Sequence, residues 1–225
     1  MLAKNIFKGY PVMLSASLPN DLANSYQSQD LYDLLVSLVG GILSSGGTLV
    51  FGGHPTITPL VHRLASSISI KKSPIILFQL ARHKPIVPKE VYDGNIFTDI
   101  RWIGNEGDSD FQTLVDGLSM MRQEMVQTAK AAIFIGGKTQ GFSGKIPGIR
   151  EEYQRFMKTH PNGPVYLLGI FNGETLNIIQ EHENQQIREP NLMNADELNA
   201  LRHSTDTDWI ANLVLADLRK AAFQQ

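Results

Sequence analysis

No cysteine occurs among the 225 residues, so disulfides, thiolate metal centres and thiol nucleophiles are excluded. Charge of one sign is missing as well. The formal net charge is −2, which leaves no global electrostatic footprint for DNA, RNA or an anionic membrane. No stretch approaches the roughly 18 consecutive apolar residues of a membrane span. The opening MLAKNIFKGYPVMLSAS also lacks the apolar run of a secretory leader, so a soluble, cytoplasmic chain without a membrane partner is expected. Standard chemical motifs are absent too. Gly144-Lys145 is followed by Ile146, and the position five before Gly144 is Thr139, so there is no Walker loop. No G-x-G-x-x-G follows the first strand, where a dinucleotide-binding domain needs it, and no H-E-x-x-H, G-x-S-x-G or EF-hand pattern occurs. The six histidines show no close ligand spacing apart from His54 and His62, so neither a metal nor a bound cofactor is expected.

What is present is an ordinary globular composition, 42% hydrophobic and 19% charged, long enough for one domain with a sizeable core. Short apolar runs alternate with helical patterns along the chain. PVMLSAS (11–17), TLVFGG (48–53), PIILFQLA (74–81), AAIFIGG (131–137) and PVYLLGIF (164–171) read as buried strands. A helix with Leu31, Leu34, Leu35, Leu38 and Ile42 on one face stops at Gly46-Gly47. A second carries Pro59 in its first turn. Residues 82–107 are rich in Pro, Gly and charge and read as a long active-site loop, with a short strand around 100–103. Asp108 or Ser109 is placed to cap a helix running to about residue 128, and Pro147 suits the first position of the next. Beyond the core at about 11–170, the tail at about 171–225 reads as a helical extension. It holds a short helix near Asp196 and an amphipathic one at 207–223, with Trp209, Leu213, Ala216 and Lys220 on one side. Strands alternating with helices predict an α/β fold: a single, three-layer, Rossmann-like domain over 1–225, with a mainly parallel sheet and helices on both faces.

In such a fold ligands sit beyond the carboxyl ends of the strands. Those ends are SAS (Ser15, Ser17), FGGHPT (Gly52, Gly53, His54, Thr56) and FIGGKTQGFSGKIPGIREEY (134–153). The last combines Gly136, Gly137, Gly144 and Gly148 with Lys138 and Lys145 ahead of a helix N-terminus. Free backbone N–H groups, two ammonium groups and the helix dipole make an anion site. A flexible turn solvated by its lysines is the alternative.

Two side chains fall on unexpected faces. With Ile149, Tyr153, Phe156 and Met157 as the buried stripe, Glu152 lies beside it, while Glu151 lies nearly opposite and is expected in solvent. In the preceding helix Arg122 falls inside the stripe of Phe111, Leu114, Val115, Leu118, Met121 and Met125. An arginine there must pair, snorkel or bind a ligand. Its distance from the helix's start argues that a displaced helix or a second subunit is needed to bring it to the strand ends.

These residues resemble the SLOG superfamily, the Rossmann-like nucleotide-binding fold shared by the LOG phosphoribohydrolases and the DNA-processing Smf proteins. The LOG signature joins M-x-x-R-K-x-x-M to P-G-G-x-G-T-x-E-E. In SMMRQEMVQTAKAAIFIGG, Arg122 matches the arginine and Met125 the second methionine one position early. Gly136-Gly137 match the glycine pair and Glu151-Glu152 the paired acids, while SAS and FGGHPTITPLV fall in the family's order. The resemblance covers about residues 11–170. Gln123 replaces the signature lysine, and KTQGFSGKIPG replaces the tight G-x-G-T loop that grips a nucleoside monophosphate in LOG enzymes. That longer loop resembles the SLOG domains associated with TIR and sirtuin-type NADases of anti-phage defence, which include the cyclic ADP-ribose sensors of Thoeris effectors. The resemblance therefore implies a binder of an adenine- or NAD-derived nucleotide, acting as sensor or regulator. Its ligand contacts would be Ser15, Ser17, Gly52, Gly53, His54 and Thr56 on one side. Arg122, Gly136, Gly137, Lys138, Gly144, Lys145, Gly148 and Glu152 would form the other. It also implies a homo-oligomer and a separate TIR or NADase partner. The alternatives are a LOG-like nucleotide N-glycosidase, with Glu152 and Arg122 catalytic, and an Smf-like single-stranded DNA binder, which the acidic balance disfavours.

Overall fold

The computed structural model describes residues 7–19, 27–55, 57–67, 73–87, 89 and 97–224. Six strands, β1 (Pro11–Ser17), β2 (Thr48–Phe51), β3 (Ser73–Leu80), β4 (Phe97–Ile103), β5 (Ala131–Gly136) and β6 (Val165–Leu168), form one sheet in the order β4-β3-β2-β1-β5-β6. Every pairing is parallel. A parallel sheet needs both faces covered, and the apolar residues divide accordingly. Helices α1 (Gln27–Ser44), α2 (Thr58–Ser67), α6 (Ala195–His203) and α7 (Thr207–Phe223) cover one face, through a core that includes Leu34, Leu38, Val61, Leu201, Val214 and Leu218. Helices α3 (Phe111–Thr128), α4 (Gly148–Thr159) and α5 (Gly173–Gln185) cover the other, through Met121, Met125, Ile149, Phe156, Ile178 and Ile179. The three-layer α/β architecture read from the sequence is therefore present. Among the described residues no helix is long and apolar enough to cross a membrane.

Several local expectations shift. Strand β2 stops at Phe51, because Gly53 turns the chain with φ of 54°, a conformation glycine adopts at little cost. The run 164–171 yields only four strand residues, followed by a 3-10 turn over Gly169–Phe171. Within 82–107 lies β4, beginning at Phe97, and residues 81–83 form a 3-10 turn. The cap of α3 is Asp110, whose carboxylate accepts from Thr113 N at 2.9 Å; Asp108 instead accepts from Asn105 N at 3.0 Å in the preceding turn. Pro147 sits at the cap of α4 rather than its first position. Helix α5 lies within the expected helical tail, at a place the periodicity does not single out because GETLNIIQEHENQ is mostly polar; it starts at Gly173, after its cap Asn172, both at positive φ.

The buried side of α7 is Ile210, Val214, Leu218 and Ala221, not the face of Trp209, Ala216 and Lys220, which is exposed. The reason is docking on α1, where a side chain at Gly41 would collide with Leu215. Asp217 is carried into the core by the same face and is only 1% exposed. It accepts from Tyr166 Oη at 3.0 Å and from Leu192 N at 3.1 Å, which ties the tail to β6. A buried carboxylate needs such donors.

Candidate functional site

The chain runs outward from β1 to β4 on one side, then returns to place β5 on β1's other flank. The switch point between β1 and β5 is where a parallel sheet opens a crevice. Here the two strand ends are clasped, since Gly137 N donates to Ser17 O at 2.8 Å. Gly136 and Gly137 have φ of 67° and 99°. A Cβ on Gly136 would strike Ser17 O, and one on Gly137 would lie 2.7 Å from Ile149 Cδ1. These two glycines bring the backbone close to β1 and α4, and they do not line the cavity beside them.

That cavity measures about 760 Å³, within the range of small-molecule sites. Ser15, Ser17, Gly52, Gly53 and His54 line it. So do Arg122, Lys138, Gly148 and Glu152. Gly144 and Lys145 lie off the lining with Gly136 and Gly137, and Thr56 lies outside the described residues. An apolar portion, which the sequence reading does not include, is built from Phe51, Ile57, Val87, Leu118, Met121 and Met125. The glycine pair after β2 allows this approach. A Cβ at Gly52 would lie 2.9 Å from Met125 Sδ, and one at Gly53 would lie 2.6 Å from Gln79 Nε2. Gln79, buried at the end of β3, donates to Gly53 O at 3.3 Å and accepts from Leu80 N at 3.1 Å, so it fixes this loop. Phe142, in the inserted loop, also reaches the cavity.

At the junction of α3 and α4 three charged side chains are buried together: Arg122, Glu151 and Glu152 are each 8% exposed. Arg122 Nη1 donates to Glu151 Oε2 at 2.6 Å, and its Nε lies 3.5 Å from Glu152 Oε1. Glu151 is therefore not solvated, contrary to the helical-face reading. Helix α3 packs against that side of α4 and brings Ser119 Oγ to 2.6 Å from Glu151 Oε1, while Arg155 folds over the same oxygen. The sequence holds a partial signal in the i, i+4 pairing of Glu151 with Arg155. Arg122 reaches the cavity within a single chain, since its long side chain extends to the first turn of α4, where a Cβ at Gly148 would lie 2.7 Å from its Nη2. Neither a displaced helix nor a second subunit is needed for that contact.

The environments of the two glutamates push them apart. For Glu151, burial raises the pKa, but the hydrogen bonds from Ser119 and Arg155 together with Arg122 outweigh it and hold it below the ordinary carboxylate value. For Glu152, burial dominates, and Arg122's charge and the Ser15 hydroxyl only partly offset it, so its pKa is raised. Among the described residues, neither Glu152 Oε2 nor Arg122 Nε, both buried, has a hydrogen-bond partner. On the same cavity lining, burial and then the charge of Lys138 hold the His54 imidazole below its usual value, so it is neutral at physiological pH. Among the described residues no cluster of three or more His, Cys, Asp or Glu is arranged to hold a metal.

The model of the SLOG cluster3 family matches residues 26–203, a span that includes α1 through α6 and the whole Arg122–Glu151–Glu152 cluster. None of the curated proteins matches the sequence.

Proposed function

The chain belongs to the SLOG cluster3 family, and on that premise we propose that it binds an adenine- or NAD-derived nucleotide, such as a cyclic ADP-ribose-type signal, as a sensor or regulator in bacterial defence or nucleotide signalling. The family's nucleotide-related character supplies the ligand class. The observation that carries the reading is the division of the cavity. Arg122 is neutralised by Glu151 and Glu152, so it has little charge left for a phosphate. Lys138, exposed and lining the same cavity as Gly148 at the start of α4, is a cation that suits one. The neutral sugar or base edge of the ligand then faces Arg122 and Glu152, whose unpaired atoms offer one donor and one acceptor. The apolar side chains beyond β2 receive a planar ring. A sensor must pass its state on, and we include in the proposal a homo-oligomer and a separate TIR or NADase effector. Phe111 and Met120, 69% and 55% exposed along α3, support such association.

A second reading, LOG-like N-glycosidase activity, is favoured by Glu152 alone. Its raised pKa suits a general acid. It would give its proton to the departing base as water adds to the sugar's anomeric carbon, the N-glycosidic electrons leaving with the base and the water's proton passing to the Glu152 carboxylate. Incubation with AMP, NAD and cyclic ADP-ribose isomers, read by thermal shift and by free base, separates the two readings. A shift without base release supports the sensor. Base release abolished by Glu152→Gln supports the enzyme, and no shift with any nucleotide overturns both.

A further inference from the structure

Glu151 accepts four hydrogen bonds, one from Ser119, one from Arg122 and two from Arg155, and it does not line the cavity. Its neighbour Glu152 does line the cavity, yet meets Arg122 only at 3.5 Å and leaves Oε2 unpaired among the described residues. That division is unusual for three charged groups buried side by side. An arginine and a carboxylate free to choose close into a two-pronged pair with both oxygens bonded, and burial sharpens the preference. Here the prong is taken by Glu151 at 2.6 Å, and Glu151 is anchored from both sides by α3 and by its own helix. The small residues of the loop let the guanidinium lie there: Cβ atoms at Gly148 and Gly144 would stand 2.7 and 3.1 Å from Nη2 and Nη1.

We propose that Glu151 is a positioning residue that competes with Glu152 for Arg122, holding the Arg122–Glu152 pair open on the cavity wall so that its free donor and acceptor are available to a ligand. Without Glu151, Arg122 swings onto Glu152 and the wall closes. The affinity consequence rests on the nucleotide-binding reading; the closure itself does not. Removing the Glu151 charge also lowers the Glu152 pKa, because a like charge is removed and Arg122 moves nearer.

The test follows the Glu152 carboxyl by carbon NMR in glutamate-labelled protein, with AMP and inorganic pyrophosphate as calorimetric probes. In Glu151→Gln the Glu152 titration is expected to move to lower pH. AMP affinity is expected to fall about ten- to hundred-fold, the scale of a misplaced binding group, while pyrophosphate binding changes less than about twofold. Arg155→Ala takes donors from Glu151 without touching Arg122 and is expected to leave the Glu152 titration unmoved. Should Glu151→Gln fail to fold, Glu151→Asp, which draws the carboxylate back by one methylene, carries the same comparison with a smaller shift in the same direction. An unchanged Glu152 titration, or equal AMP losses in Glu151→Gln and Arg155→Ala, overturns the proposal. If the wild type binds no AMP, the ligand reading fails while the NMR titration still decides the role of Glu151.

Discussion

Replacing Arg122 by methionine keeps the volume of the buried stripe and removes its charge. Glu151 retains Ser119 and Arg155, but Glu152 loses the cation that partly offset its burial. Breaking a buried ion pair by removing one partner costs about 3–5 kcal/mol, and the surviving partners of Glu151 place this case near the lower figure. For a chain of this length about 1 kcal/mol shifts the melting temperature by roughly 2–4 °C, so the loss is roughly 6–12 °C. Its pH dependence is more diagnostic than its size. The Glu152 pKa is already raised in the folded state, so its contribution is favourable at low pH and is lost as pH rises through the folded value. Arg122→Met raises that value further. The gap in melting temperature between wild type and Arg122→Met should therefore widen as pH rises above the ordinary carboxylate value and through the raised folded value of Glu152. Adding Glu152→Gln should restore most of the loss at the higher pH. Calorimetric melting across that range provides the assay. A gap that stays constant, or narrows as pH rises, would refute the buried-triad reasoning.

Gly148→Ala puts a methyl group against the Arg122 guanidinium, and a cost of about 1–3 kcal/mol in denaturant unfolding is expected; Gly144→Ala, with more room, should cost less. Lys138 lines the cavity and Lys145 does not. Lys138→Ala should therefore weaken AMP binding about five- to tenfold, because it removes a charge-assisted hydrogen bond at an exposed site, whereas Lys145→Ala should leave the calorimetric isotherm unchanged. Tyr166→Phe deprives the buried Asp217 of a donor and should lower urea-unfolding stability by about 1.5–3 kcal/mol, with AMP affinity unaffected.

The architecture is legible because strands β1, β2, β3 and β5 are apolar runs bounded by glycine or small residues, and because Leu31, Leu34, Leu35, Leu38 and Ile42 mark one helical face, all of them buried. Helix α5 is not legible: its apolar residues are few, and its boundary lies in the positive-φ pair Asn172 and Gly173. The α7 face misleads for a related reason, since Trp209 and Leu213 are apolar by composition while Asp217 is buried by pairing with Tyr166. At the site, Arg122 stands out as a charge within an apolar stripe, and its burial follows. Glu151 does not stand out, because a single helix's periodicity does not show that α3 covers its outer side. The same limit applies to Gly136 and Gly137, which serve packing against Ser17 and Ile149, and to the apolar half of the cavity, contributed by four separate segments.

The most direct test of the central claim is isothermal titration of AMP, NAD and cyclic ADP-ribose isomers into the wild type and into Glu152→Gln. Saturable binding of at least one of these nucleotides to the wild type, weakened at least tenfold in Glu152→Gln, is the predicted result; no heat of binding with any of them, or affinities equal in the two proteins, would contradict it.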